Sequence, residues 1–509
     1  MKNELEGYKN ISELKIDNNI KIISLSDIHG DIHSLIIALR DCADVIKKKK
    51  NFNFNNNLED KDLEYLLNID ISEKEDTYID DLNYEWIGKN THIVIVGDFL
   101  DCKRSKNKIY KNNGFGQNEY PQIEIKIFKF INIINKFAQL DGGRIIKIFG
   151  NHEILNIIGN KEFIIRYSYS NTIKQSNYYK GFNRIDCFQY NNPGYKLMLE
   201  DNMYVLYKIN NNIFVHGGPV DKLNFSNYNY LNYIINYDIK NKINDIFNNL
   251  SDMEISPLWT RIFGDFKLIN NRIKNNNNCD FVKNIIKIIK GSNYFDDDIK
   301  NIRIILGHCV QSLSMIHNQL NITFSYINNN ESNNIKEVLE PKLEKIEDSS
   351  KRIIPKKINY IYDNKLYEYH NNNDVKFDVK YRGYANLKDR IVFGITMECD
   401  KEINSLDSYI YKVDVGSSRG FDNMSKYKNN DENILSKEEL ENKYYLSRTP
   451  QILEIINNKP KIIRSLISNT KIHQPRILQQ NLEIFYEYKY FKYKKKFNDL
   501  KKLINNFLL

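Results

Sequence analysis

A chain of 509 residues with 41% hydrophobic, 27% charged and 12% aromatic side chains can build a sizeable core and is too long for one small domain. Those proportions exclude a fully disordered chain and a collagen-like one. The formal charge of +9, from 74 basic and 65 acidic residues, is mild for this length and does not announce a nucleic-acid binder. The six cysteines, at 42, 102, 187, 279, 309 and 399, form no CxxC pair, so neither a disulfide scaffold nor a cysteine-built zinc site is expected. They fit a reducing, cytoplasmic compartment. No signal-length apolar stretch opens the chain and no membrane-length apolar run occurs, so neither standard secretion nor a membrane span is expected.

Taken in chain order, the elements read as an α/β sheet enzyme. Strand-length runs rich in β-branched residues recur, each ending in a polar cluster: Ile22–Leu25 before Ser26-Asp27, Ile93–Val96 before Gly97-Asp98, and Ile145–Phe149 before Gly150-Asn151. Ile213–Val215 before His216-Gly217-Gly218 and Ile304–Leu306 before Gly307-His308 continue the series. Helical patterns lie between them, at Leu35–Leu39 and from Phe128 to Phe137. Asn- and Lys-rich passages over 47–90 and 103–122 read as surface insertions. A charged excursion covers 329–356 and a tyrosine-rich stretch over 357–384 reads as a small hairpin. Strand patterning resumes at Ile391–Ile395 and Tyr409–Val415, and 421–509 reads as a mostly helical tail whose most ordered portion is LSRTPQILEIINN. The expected organisation is a catalytic domain over 1–328 with an insertion at about 47–90, a second insertion over 329–384, completion of the catalytic domain over 385–420, and a helical C-terminal extension over 421–509.

Open α/β sheets put their chemistry just beyond the carboxyl ends of core strands. Asp27 and His29, two residues apart at such an end, can aim an oxygen and a nitrogen at one point, and Gly30 lets the backbone turn tightly beside them. Asp98, directly after an apolar strand, is expensive to bury unpaired and is placed to bridge two cations. Asn151-His152-Glu153, His216 and His308 follow the next three strands. The other histidines, 33, 92, 317, 370 and 473, read as surface or satisfied-core residues. Two divalent ions about 3.5–4 Å apart can clamp a phosphoryl group and activate a water. Manganese, iron and zinc accept a mixed nitrogen and oxygen shell of this kind.

The ordered set DIHGD (27–31), GDFLD (97–101), GNHE (150–153), HGG (216–218) and GH (307–308) resembles the motifs of the calcineurin-like metallophosphoesterases. HGG, and a final Gly-His lacking a second histidine two positions on, point to the phosphoprotein phosphatase branch. PLWTR (257–261), YKVDVGSS (411–418) and SRTPQILEI (447–455) resemble the Shewanella-like, bacterial-like protein phosphatases. The resemblance implies a four-layer α/β/β/α sandwich holding two divalent metal ions, manganese foremost and iron or zinc as alternatives. It implies Asp27 and His29 on the first metal, Asp98 bridging, and Asn151, His216 and His308 on the second. His152 would protonate the leaving oxygen with Asp101 orienting its imidazole, and a metal-activated hydroxide would attack phosphorus directly. Arg261, Asn151 and Arg104 are the substrate-binding candidates. Asp414 and Ser417 would border the site.

Cys102 stands where the family carries an arginine, so one phosphate clamp is missing or taken over by Arg104. The implied activity is phosphomonoester hydrolysis, first on protein phosphoserine and phosphothreonine, with phosphotyrosine as a further substrate. Hydrolysis of a dinucleoside polyphosphate or other small phosphate is the alternative; a scaffold protein keeping a weakened enzyme fold is the other, with Cys102 its main argument. The basic, aromatic stretch 487–502 reads more simply as a docked amphipathic helix than as a nucleic-acid contact. Heavy use of Asn, Lys, Ile, Tyr and Phe points to an A/T-rich genome such as that of a large DNA virus, which would put the protein in host cytoplasm or virion.

Overall fold

The structure is a computed structural model, and it describes residues 11–48, 84–101, 123–167, 178–220, 225–237, 243–251, 256–260, 303–309, 324–328, 336–343, 357–362, 365–370, 393–396, 409–414 and 450–465. Two large sheets organise them into the expected α/β fold. The larger has eight strands in the order Phe324–Asn328, Lys336–Leu343, Lys459–Ser465, Gln451–Ile456, Ile22–Leu25, His92–Val96, Arg144–Ile148, Met203–Tyr204. The smaller has six, in the order Glu13–Leu14, Leu206–Ile209, Asn212–Val215, Arg303–Leu306, Tyr409–Lys412, Phe393–Thr396.

Ile22–Leu25, His92–Val96 and Arg144–Ile148 run parallel, with Ile23 opposite Ile93 and Ile93 opposite Ile145. Asn212–Val215, Arg303–Leu306 and Tyr409–Lys412 are parallel in the other sheet. Strands enclosed on both faces read as nearly continuous apolar runs, which is why five of them are visible in the sequence. The carboxyl ends of the two parallel sets meet: the His216 ring bonds to the Val96 carbonyl, and the His308 amide donates to Asp27. That junction positions the polar clusters.

Flanking helices are fastened by buried polar contacts as well as by apolar packing. The helix Ile123–Leu140 buries Ile127, Phe130, Ile131, Ile134 and Ala138. It is tied to the strand beneath it by Lys147, whose ammonium donates to Asn132 Oδ1 and the Met198 carbonyl at 2.9 Å each, and to the Glu200 carbonyl. Burial pushes Lys147 down to about 7, while Asp201 and Glu200 oppose that shift. On the helix Phe225–Tyr237, Asn229, Asn232 and Asn236 share one face at helical spacing. Asn232 accepts from Val205 N and donates to Leu206 O, Asn236 does the same with both backbone groups of Met203, and Asn229 accepts from Ser12 N. Asparagines that look like compositional noise here complete strand-edge hydrogen bonding.

The helical reading of the C-terminal extension is corrected over 450–465. Gln451–Ile456 and Lys459–Ser465 are strands of a hairpin inserted between Ile22–Leu25 and Lys336–Leu343, so a segment expected to be an appendage lies in the middle of the larger sheet. The spacing of Ile452, Leu453, Ile455 and Ile456 suits either period; the β-branched content and the turn decide it. Asn457 and Asn458 have φ of 50° and 58°, the two left-handed central residues that a tight hairpin turn needs. The insertion boundary at 329 shifts for the same reason, because Lys336–Leu343 pairs with this hairpin. The tyrosine-rich hairpin is present as Lys357–Tyr362 against Lys365–His370. The passage over 47–90 leaves the body through a paired base, Ile46–Lys48 against Tyr84–Trp86. Its centre, the passage 103–122 and the rest of the tail lie outside the described residues. His92, expected as a surface or satisfied-core histidine, is buried, and burial followed by Arg144 lowers it to about 4. No described helix is long and apolar enough to cross a membrane.

Leu453 is fully buried at the centre of the hairpin. Leu453→Ala should cost about 2–5 kcal/mol in chemical denaturation, as a core cavity does, and truncation after residue 449 should abolish cooperative unfolding. A truncated chain that unfolds with the parent's midpoint would contradict the hairpin's central position.

Candidate metal centre

Three of the five polar clusters carry left-handed residues. Asp27, His29, Asp98, Asp101 and His308 have φ of 54°, 43°, 53°, 65° and 67°, a left-handed conformation unfavourable for side-chain-bearing residues. Strain of about 1–3 kcal/mol per residue persists only where surrounding structure over-determines it. Here the amides of His29 and Gly30 donate at 2.8 Å to the carbonyls of Asp98 and Phe99. Gly97 has φ of 81°, and a Cβ on it would meet His216 Nδ1 at 2.5 Å, so a glycine is required there on both counts.

Glu153 ties the second and third loops together. Its carboxylate accepts from the amides of Asp98 (2.9 Å), Phe99 (2.8 Å), Leu100 (3.0 Å) and Gly150 (2.8 Å). Burial, and then Asp98, push Glu153 up to about 7, while the Leu100 and Gly150 amides pull it back.

All six expected ligands are buried and converge. Asp98 belongs to two groups whose ligand atoms lie within 4.8 Å of one another, one with His29 and His152, the other with His216 and His308. Asp98 Oδ2 is 3.6 Å from His29 Nε2 and 3.9 Å from His152 Nε2, whereas Oδ1 is 3.3 Å from His216 Nε2. Asp27 Oδ2 is 3.8 Å from His29 Nε2, and Asn151 Oδ1 is 3.1 Å from His216 Nε2. One carboxylate therefore faces imidazoles with each of its oxygens.

The ring nitrogens that do not face Asp98 identify the tautomers. His29 Nδ1 lies 3.0 Å from the Leu100 carbonyl and His216 Nδ1 2.8 Å from the Val96 carbonyl. A carbonyl only accepts, so both Nδ1 atoms carry a proton, and a cation would meet these rings at Nε2. His152 differs: its Nδ1 pairs at 2.8 Å with a carboxylate, Asp101 Oδ2.

The electrostatics point the same way. Burial by itself would raise Asp98, but His216, His152 and His29 reverse this and hold it well below the usual carboxylate range. Burial would lower His216, yet Asp98 holds it above its ordinary value. Asp27 is raised well above its ordinary value by burial and then by Asp414 and Asp98. Three neighbouring buried carboxylates among imidazoles form a donor set whose repulsion a divalent cation relieves. The residues fit a metal of the nitrogen-and-oxygen class.

Asp414 is buried against Asp27, which puts it nearer the cluster than a bordering residue. The segment 256–260 docks on the HGG loop through the Pro257 carbonyl, which accepts from the amides of Gly217 and Gly218 at 2.9 Å. It brings the Trp259 ring to 5.9 Å from His308. The Trp259 indole N–H is buried and has no hydrogen-bond partner among the described residues. Phe163 and Tyr167, from the helix Lys161–Tyr167, place their rings 4.7 and 5.4 Å from His152. Arg104, Arg261 and Ser417, together with Cys102, lie outside the described residues.

Behind Asp101 stands a group that sequence reasoning missed. Arg184, fully buried, donates to Asp101 Oδ1 (3.1 Å), to Asn156 Oδ1 (2.7 Å) and to both oxygens of Glu124 (2.5 and 2.8 Å). Burial would depress the guanidinium, but Glu124 and Asp101 outweigh it and hold the arginine above its ordinary value. The available hint was spacing: Asn156 follows His152 by one helical turn, so both face Asp101.

No family model matches the chain. An uncharacterized protein of Acanthamoeba polyphaga mimivirus is 28% identical over 182 residues, 32% of this chain and 71% of that protein. The Shewanella-like protein phosphatase 1 of Plasmodium berghei (strain Anka) is 27% identical over 232 residues, 42% of this chain and 45% of that protein. The match thus spans less than half of the Plasmodium relative. Among solved structures, the cold-active protein-tyrosine phosphatase of a psychrophilic Shewanella species aligns over 60% of this chain and 70% of its own at 16% identity, with a TM-score of 0.35.

Asp98→Ala removes the carboxylate common to both ligand groups. Metal analysis of stripped and manganese-refilled protein should give less metal per chain than the parent; equal occupancy would contradict the shared role.

Proposed function

We propose that the chain is a metal-dependent phosphatase that hydrolyses phosphomonoesters, with phosphoserine and phosphothreonine of proteins as its first substrate class. The observation that carries this reading is Asp98, a buried carboxylate shared by two groups of ligand atoms with the His152–Asp101 pair alongside. Similarity to the Plasmodium phosphatase supports the same activity. Asp27, His29 and Asp98 would hold one divalent ion, and Asp98, Asn151, His216 and His308 a second. Such ions supply Lewis acidity that neutralises phosphoryl charge and activates water for attack at phosphorus.

The chain's own residues do the rest. The P–O ester bond breaks with its electron pair on the leaving oxygen, which takes the proton from His152 Nε2. Asp101, hydrogen-bonded to Nδ1, keeps the opposite ring nitrogen turned to the reaction and stabilises the protonated imidazole. The buried indole N–H of Trp259, beside His308, is a spare donor for a phosphoryl oxygen.

A specific observation favours phosphotyrosine as a further substrate. Phe163 and Tyr167 stand beside the proposed proton donor, and their rings lie 4.5 Å apart. An aryl leaving group there would make ring contacts worth about 0.5–1.5 kcal/mol per pair. Dinucleoside polyphosphate hydrolysis remains the runner-up, and a scaffold role the third reading.

Protein stripped of metal and refilled with manganese should turn over phosphoserine and phosphothreonine peptides in a metal-dependent way; a dinucleoside polyphosphate measured alongside should be the poorer substrate. Activity confined to the dinucleotide would move the protein to the runner-up class, and inactivity of metal-loaded protein on every substrate would favour the scaffold. His152→Ala should lower kcat by roughly 10²–10⁴-fold, the usual contribution of a general acid, with metal content unchanged. Parallel loss of metal would make His152 a ligand instead. Phe163→Ala should reduce kcat/KM for phosphotyrosine more than for phosphoserine.

A further inference from the structure

The proton-donating pair is backed by a second, deeper layer of charge. Asp101 Oδ2 accepts from His152 Nδ1 at 2.8 Å and from Asn156 Nδ2 at 2.9 Å, while Oδ1 accepts from Arg184 Nη2 at 3.1 Å. Arg184 is in turn held by Glu124 through Nε and Nη2, and by Asn156 through Nη1. Glu124 also accepts from the Asp101 amide (2.9 Å) and from the Tyr178 hydroxyl (2.6 Å). The guanidinium lies 4.8 Å from the Phe188 ring centroid, which closes one side of it. Arg184, Asp101, Asn156 and Tyr178 are fully buried, Glu124 and His152 nearly so.

We infer that Arg184 is a positioning residue for proton donation: by fixing the far oxygen of Asp101 and the amide of Asn156 together, it holds the Asp101 carboxylate in the plane that aligns His152. The inference rests on the reading of His152 as the proton donor. It needs no contact between Arg184 and substrate. A free carboxylate turns about its last bond, and a single partner on Oδ2 would leave the plane undefined. Three partners from two different helices define it: His152 and Asn156 from Asn151–Ile157, and Arg184 from Arg184–Cys187. The charges also close, because Asp101, Glu124 and Arg184 sum to one negative charge, which a protonated imidazole neutralises in a buried surrounding. A purely structural ion pair would be satisfied by Glu124 alone; extending a guanidinium N–H to Asp101 links that pair to the reacting group.

Arg184→Lys keeps the positive charge and loses the planar fork. The two substrates to compare are a phosphoserine peptide, whose alkoxide leaving group requires a proton, and dinitrophenyl phosphate, whose phenolate leaves without one. Arg184→Lys should lower kcat on the peptide by at least about tenfold, within the range of a general-acid contribution, with KM and metal content unchanged and dinitrophenyl phosphate turnover nearly intact. His152→Ala is the reference and should show the same selectivity more strongly. Nuclear magnetic resonance of the metal-free parent should show a far-downfield Nδ1 proton of His152 that is lost in Arg184→Lys. If Arg184→Lys does not fold, Asn156→Ala cuts the same link without removing a charge and should give a smaller loss of the same kind.

Equal losses on both substrates, or none, with His152→Ala remaining selective, would overturn the role of Arg184 alone. Absence of selectivity in His152→Ala itself would overturn the proton-donor reading and this inference with it.

Discussion

The arrangement depends on one carboxylate that takes no direct part in binding. Glu153 accepts four backbone amides from two loops, at 2.8–3.0 Å, and so fixes the turn carrying Asp98 against the turn carrying Asn151 and His152. Buried amides left without an acceptor cost about 1–3 kcal/mol each, so the loops could not keep these conformations without it. The left-handed residue at Asp98 is tolerable because this clamp over-determines it, and the one at Asp101 because its amide donates to Glu124. Two turns at the centre take their relative position from that constraint: the one with the shared carboxylate, Asp98, and the one with Asn151 and His152.

A second constraint is electrostatic. Buried carboxylates at Asp27, Asp98 and Asp414 are crowded where two sheets end, and imidazoles from both sheets surround them. Such a cluster is unfavourable alone and favourable around cations, so the strain in the loops and the crowding of charge have one common purpose. Separately, Asp101 draws on a buried arginine and glutamate instead of on the metal cluster. The proposed metal ligands and the proposed proton donor thus have distinct supports, which is why their substitutions are expected to separate metal content from turnover.

The larger sheet shows how an apparent appendage can be central. The hairpin of residues 451–465 lies between the strand that presents Asp27 and the strand Lys336–Leu343, so chain segments more than four hundred residues apart form one sheet. Cys42, near the end of the first helix, donates through its thiol to the Pro450 carbonyl at the hairpin's entry. Positioning of Asp27 consequently involves a segment more than four hundred residues away.

Much of the site is legible in the amino-acid sequence. Short apolar runs ending in Asp-x-His, Gly-Asp, Gly-Asn-His-Glu, His-Gly-Gly and Gly-His are local patterns, because strand, turn and ligand lie within a few residues of one another; the convergence of Asp27, His29, Asp98, Asn151, His152, His216 and His308 follows once parallel strands are stacked. What tertiary structure alone decides has no local pattern. Arg184 and Glu124 stand 60 positions apart in separate helices, and only burial makes their charges meet Asp101. The Asn229–Asn236 face is indistinguishable from compositional bias until backbone groups stand opposite it. Residues 451–456 carry a spacing compatible with helix or strand, and an open position beside Ile22–Leu25 settles it. The candidate ligands are written in short-range sequence because such a residue needs a turn beside a strand; support for them is not, because a buried charge can be balanced from any part of the chain.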